Sequence, residues 1–90
     1  MNILLIEDDA VMAAHICEGL QAHGHVVELA SEGATGLRLG AEARFDVLVV
    51  DRMLPKIDGL SLVQDLRAQG VATPAPVSYT HLTLPTNREV

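Results

Sequence analysis

The chain has 90 residues, enough for one small domain with a modest core. Apolar residues make up 49% of it but aromatic residues only 2%, so the core must come from aliphatic side chains, which favours an α/β fold over a β-sandwich. Twelve acidic residues against six basic ones give a formal charge of −6, which argues against nucleic-acid binding by this chain.

The first two elements are predicted to be a buried strand and a helix. Asn2 to Ile6 is rich in leucine and isoleucine and ends abruptly at the acidic run Glu7-Asp8-Asp9. Asp8 or Asp9 can cap the helix that follows, and Gly24 provides its end. The sequence therefore opens with a strand, an acidic turn and a helix.

The next two elements repeat this order. His25 to Ala30 is predicted to be a short strand, and Ser31-Glu32-Gly33 opens a second helix that runs to Ala41. Gly36 and Gly40 are expected to weaken this helix, because glycine is a poor helix former.

A third strand is predicted from Phe45 to Val50, and its unbroken apolar run indicates that both of its faces are covered. Asp51 follows it directly. Pro55 and Gly59 then demand a loop, and a third helix is predicted from Leu60 to Gln69.

Strands that alternate with helices predict a parallel sheet with right-handed crossovers. The carboxyl ends of parallel strands lie at one edge, where open α/β sheets bind ligands. Glu7, Asp8 and Asp51 would then meet there, which predicts a magnesium-dependent phosphoryl site. An acidic pair after a strand can also be only a helix cap, and it is the addition of Asp51 that favours the metal site.

Two stretches of the chain resemble the signature stretches of one family. These are Ile3 to Asp9 and Leu48 to Pro55 with Asp58-Gly59, and they are similar to the receiver domain of two-component response regulators, particularly those that precede a winged-helix DNA-binding domain. The resemblance covers roughly residues 1–75. It implies a flavodoxin-like doubly wound parallel sheet with strand order 2-1-3-4-5, here incomplete at about three of five βα units.

The resemblance also implies the site chemistry. Asp51 would accept a phosphoryl group from a sensor histidine kinase. Asp8 would bind Mg²⁺ directly, Glu7 would reach it through water, and the backbone carbonyl of Met53 would be a further ligand. The chain would be a phosphoacceptor switch rather than an enzyme with its own substrate. It would control a DNA-binding domain that this chain lacks.

Other polar residues are assigned ordinary roles. Asp9 and Asp58 are interpreted as helix caps rather than ligands. Cys17 is interpreted as a small apolar core residue, and as the lone cysteine it fits a reducing compartment. The four histidines lack zinc-type spacing and are interpreted as solvated: they are His15, His23, His25 and His81.

The last residues depart from the family. Receivers carry Ser or Thr after the fourth strand and Lys after the fifth, whereas the only lysine here, Lys56, follows Asp51. Ser78 and Thr80 are weak candidates for the missing hydroxyl residue, because Pro74 and Pro76 interrupt the segment before them. Residues 1–75 are therefore predicted to be a partial receiver domain, and residues 76–90 a non-family tail that resembles read-through or adapter sequence.

The departure has structural consequences. Without strands four and five, the third strand would become an exposed apolar edge, from which we expect self-association and marginal stability. A cytoplasmic chain that contacts no membrane is expected, because the apolar N-terminal run is short and has no basic region before it.

Two alternative functions remain open. The first is a kinase-binding module, or a non-functional fragment, that does not switch; the missing lysine and hydroxyl residue favour it. The second is an aspartyl phosphatase, which would typically place another aspartate at position 53, where this chain has methionine.

Overall fold

The computed structural model describes residues 1–42, 44–51, 54 and 57–78. Within these residues the chain forms three βα units and a short fourth strand. In chain order the elements are β1 (Asn2–Ile6), α1 (Ala10–Ala22), β2 (Val26–Ala30), α2 (Gly33–Gly40), β3 (Val47–Asp51), α3 (Gly59–Ala68) and β4 (Val77–Ser78). Gly24 and Gly70 follow α1 and α3 with φ of 87° and 89°, so both terminate helices in a conformation that favours glycine.

The four strands form one parallel sheet in the order β2-β1-β3-β4. This order confirms the predicted flavodoxin-like fold, which is incomplete. β1 lies between β2 and β3, with Leu5 opposite both Leu29 and Val49. That central position explains why its last four residues are buried.

One main core packs α2 and α3 against the sheet. Leu4 and Ile6 of β1 lie opposite Leu48 and Val50 of β3, and all four are fully buried. The remaining buried members of this core are Ala30, Leu39, Phe45, Leu54, Leu62, Leu66 and Val71. Among the described residues, Phe45 is the one core member that is not aliphatic, in agreement with the composition.

The expectation of an exposed β3 edge is wrong for the described residues. The backbone N–H of Leu48 donates to the carbonyl of Pro74 at 2.8 Å, and that of Val50 donates to Pro76 at 3.1 Å. A proline lacks a donor but keeps its acceptor, so the segment pairs through carbonyls before β4 begins at Val77. This edge is therefore not free for the predicted self-association.

Among the described residues, no helix combines the length and apolar character needed to cross a membrane.

Candidate functional site

The structure brings together the three carboxylates that were predicted to meet. Glu7 and Asp8 follow β1 directly, and Asp51 is the last residue of β3. Because β1 and β3 are adjacent and parallel, with Ile6 opposite Val50, the three side chains reach the same edge of the sheet. One oxygen from each carboxylate lies within 4.8 Å of the other two.

The cluster combines burial with high negative charge. Glu7 and Asp51 are 1% and 2% exposed, whereas Asp8 is exposed. Carboxylates held this close repel one another, and burial of two of them strengthens that repulsion. A divalent cation between them would offset it.

The spacing of the oxygens suits magnesium. Mg²⁺ prefers hard oxygen ligands at about 2.1 Å, so ligands on opposite sides of the ion are separated by about 4.2 Å. Three carboxylate oxygens within 4.8 Å of one another are compatible with that separation. The exposure of Asp8 also leaves one side of the cluster in contact with solvent.

Backbone hydrogen bonds hold the acidic turn in place. The N–H of Glu7 donates to the carbonyl of Ala30 at 3.0 Å, which extends β1 pairing by one residue. The N–H of Asp9 donates to Oε2 of Glu7 at 3.0 Å and so fixes that carboxylate. Asp9 Oδ1 itself accepts from the N–H groups of Val11 and Met12, both at 3.0 Å. The prediction that Asp9 caps the first helix is confirmed.

The helix cap predicted at Asp58 differs from expectation. Asp58 occupies the N-cap position of α3, with φ of −66° and ψ of 137°, but its side chain makes no capping hydrogen bond. Its backbone carbonyl does accept from Leu62 at 3.0 Å, which starts the helical ladder. The conformation of the residue, rather than its side chain, therefore begins this helix.

The remaining residues considered for the site from the sequence are divided between the described and undescribed parts of the chain. Met53, Lys56 and Thr80 lie outside the described residues, so their predicted roles stay predictions. The backbone of Ser78 is opposite Asp51 in the β3–β4 register. This places position 78 at the same sheet edge as the carboxylates.

Two histidines, one at the end of α1 and one just before β2, each contact a main-chain group. His23 Nδ1 lies 2.9 Å from the carbonyl of Gly19, near the end of α1. His25 Nδ1 lies 3.3 Å from the amino group of Met1. Cys17 is only half-buried, less than the core position expected for it.

Sequence reasoning missed the role of the glycines in α2. Gly36 and Gly40 were expected only to weaken the helix, but both are buried, as is Gly33. A Cβ at Gly36 would lie 2.6 Å from Ile6 Cδ1, so only glycine lets α2 approach β1 this closely. The spacing of the glycines along one helical face was the available signal.

A doubly wound parallel sheet with an acidic cluster at its carboxyl edge defines a class of α/β proteins with a cation or phosphoryl site at that edge. Comparison with known families specifies the class further. The family model for the response regulator receiver domain matches residues 3–86. The chain therefore belongs to the receiver domain family, as the signature stretches indicated. The matched range extends past residue 75, and the predicted boundary there stays a prediction.

The relatives in sequence are two-component regulators. The chain is 39% identical over 70 residues to the response regulator MprA of Mycobacterium leprae, covering 78% of this chain and 31% of that protein. It is 36% identical over 74 residues to the probable transcriptional regulatory protein SilR of Salmonella typhimurium, covering 82% of this chain and 32% of that one. The chain thus spans about a third of the length of these relatives.

Solved receiver domains share the fold. The receiver domain of the sensor histidine kinase PA1611 from Pseudomonas aeruginosa superposes with a TM-score of 0.83 at 28% identity, covering 96% of this chain and 72% of that one. That structure holds a magnesium ion in its active site cleft. The receiver domain of the Francisella response regulator 1452 gives a TM-score of 0.80 at 30% identity, covering 89% and 70% of the two chains.

Proposed function

We propose that Asp51 accepts a phosphoryl group from the phosphohistidine of a sensor histidine kinase. The observation that carries the proposal is the meeting of Glu7, Asp8 and Asp51, whose oxygens lie within 4.8 Å of one another at the carboxyl edge of the sheet. In a receiver domain, such a cluster supplies both the acceptor and the ligands of the metal that phosphoryl transfer needs.

The residues present fit magnesium. Asp8 and Asp51 would bind the ion directly, Glu7 would act through water, and the Met53 carbonyl is proposed as a further ligand outside the described residues. When bound, Mg²⁺ would neutralise negative charge on the transferred phosphoryl group. The hydrogen bond from the Asp9 N–H to Glu7 orients that carboxylate toward the cluster.

Asp51 is suited to be the nucleophile because a carboxylate needs no base to activate it. One of its oxygens would form a bond to phosphorus as the bond from phosphorus to the histidine nitrogen breaks. The phosphorylated ring leaves as neutral imidazole when its second nitrogen is protonated before transfer, and the other product is an acyl phosphate on Asp51. Because the transferred group would stay on Asp51 of the chain itself, we propose a switch rather than an enzyme.

The output of the switch would lie outside this chain. The relatives are longer regulators, one of which is described as a transcriptional regulatory protein. The charge of −6 disfavours DNA contact by the chain itself. We therefore propose that a further, DNA-binding domain of the intact regulator carries the response.

A binding-only module is the second candidate. The chain's single lysine is at position 56, directly after the acceptor region, instead of after a fifth strand. A module of this kind would bind its kinase without accepting the phosphoryl group. Such a module would still bind Mg²⁺, so only phosphoryl transfer separates the two candidates.

Phosphorylation of the purified chain by acetyl phosphate, followed by intact mass measurement, tests the proposal. We expect one added phosphoryl group that requires Mg²⁺ and is absent from Asp51→Asn. Asp65→Asn is the matched control, because Asp65 is an exposed residue of α3. Equal labelling of both variants would contradict Asp51 as the acceptor, and no labelling of the wild type would favour the binding-only module.

A further inference from the structure

Helix α2 lies against one residue before the acidic turn and one residue after Asp51. Gly36 faces Ile6, the residue before Glu7, and Gly33 faces Ile57, which lies between Asp51 and α3. The first turn of α2 therefore contacts Ile57, six residues after the proposed phosphoacceptor.

The contact at Gly33 leaves no room for a side chain. A Cβ there would overlap Cγ2 of Ile57 and lie 3.7 Å from Cδ1 of Leu54. The Leu54 contact is an ordinary van der Waals distance, so the overlap with Ile57 is what excludes a side chain at Gly33. The Ile57 methyl is bonded directly to its own Cβ, so displacing it requires χ1 rotation or movement of the backbone.

We propose that Gly33 is a positioning residue that sets the place of Ile57 relative to Asp51. Its missing side chain lets Ile57 dock on the α2 backbone, and chain connectivity couples the place of Ile57 to that of Asp51, six residues earlier. The consequence for metal binding rests on the proposed magnesium site, whereas the docking itself does not.

The substitution Gly33→Ala tests the proposal, because the steric overlap and helix propensity predict opposite changes in stability. Alanine normally stabilises a helix relative to glycine, so a gain in stability is expected wherever space permits the added methyl group. Gly19→Ala in α1 is the matched control, because nothing lies within 4 Å of a Cβ at that position. Circular dichroism of both variants verifies that the helices are retained.

Calorimetric titration with Mg²⁺ measures the consequence for the site. We expect Gly33→Ala to weaken Mg²⁺ binding by about 10-fold, the scale at which groups that orient metal ligands act. Gly19→Ala should leave the affinity unchanged. The double variant Gly33→Ala with Ile57→Ala removes the overlapping methyl and should restore most of the affinity. Wild-type affinity in Gly33→Ala, or no restoration in the double variant, would overturn the proposal.

A second measurement separates this proposal from the proposed function. In magnesium-free protein, the NMR amide signals of Asp51, Leu54 and Ile57 should shift in Gly33→Ala and return toward their wild-type positions in the double variant. If the wild type binds no Mg²⁺, the proposed magnesium site is refuted. These shifts still test whether Gly33 positions Ile57. Unchanged amide signals in Gly33→Ala would refute the positioning role.

Discussion

Replacing Asp51 with asparagine should make the magnesium-free protein more stable. Glu7 and Asp51 are both at most 2% exposed, and their oxygens lie within 4.8 Å. Two unit charges at that separation repel by about 3.5 kcal/mol at an effective dielectric constant of about 20. Asp8 adds less, because it is exposed and screened by solvent.

The observable gain should be smaller than the Coulomb figure. The asparagine amide retains the size of the carboxyl group but replaces an acceptor by a donor, and that change offsets part of the relief. We therefore expect Asp51→Asn to raise the free energy of unfolding by about 1–3 kcal/mol in the absence of Mg²⁺.

Urea denaturation with and without Mg²⁺ measures this effect. The wild type should gain stability as Mg²⁺ is added, by about 2.7 kcal/mol at a concentration 100 times the dissociation constant. Asp51→Asn should gain much less, and the exposed control Asp65→Asn should behave as the wild type. A destabilised Asp51→Asn, or the same Mg²⁺ dependence in it as in the wild type, would refute the reasoning.

Three further predictions concern stability. Asp9→Ala removes two capping hydrogen bonds of 3.0 Å and should lower the free energy of unfolding by about 1 kcal/mol, measured in urea; no loss would contradict the capping role. Leu62→Ala empties a fully buried position and should cost about 2–5 kcal/mol, so we expect loss of the cooperative thermal transition monitored by circular dichroism. Arg44→Ala should leave the midpoint of thermal unfolding nearly unchanged, because its ion pairs with Glu28 and Glu42 are half-exposed; a clear drop in the midpoint would contradict this.

The strands and the acidic cluster could be predicted because their signals are local. An apolar run ending in carboxylates identifies a buried strand and the end at which its ligands lie, and β1 is observed where it was predicted, Asn2–Ile6. The third strand was predicted from Phe45 but begins at Val47, although Phe45 remains buried in the core. Burial and strand pairing are separate properties, and hydrophobicity reports only the first.

The close packing of α2 and the covered edge of β3 depend on distant parts of the chain. Gly36 appears from the sequence as a weak helix former, and only the position of Ile6 shows why the residue must be small. Pro74 and Pro76 appear as breaks in a strand, yet their carbonyls pair with β3. The expectation that proline interrupts a strand considers its missing N–H donor and neglects its carbonyl, which can still accept a hydrogen bond.

The most direct test of the central claim is to locate the phosphoryl group after transfer from a phosphorylated histidine kinase. Reduction of the acyl phosphate with borohydride converts the modified aspartate to homoserine, which peptide mass spectrometry can assign to a position. Homoserine at position 51, formed only when Mg²⁺ is present, is the predicted result. Modification at Asp8, Asp58 or another carboxylate, with Asp51 unchanged, would contradict the account.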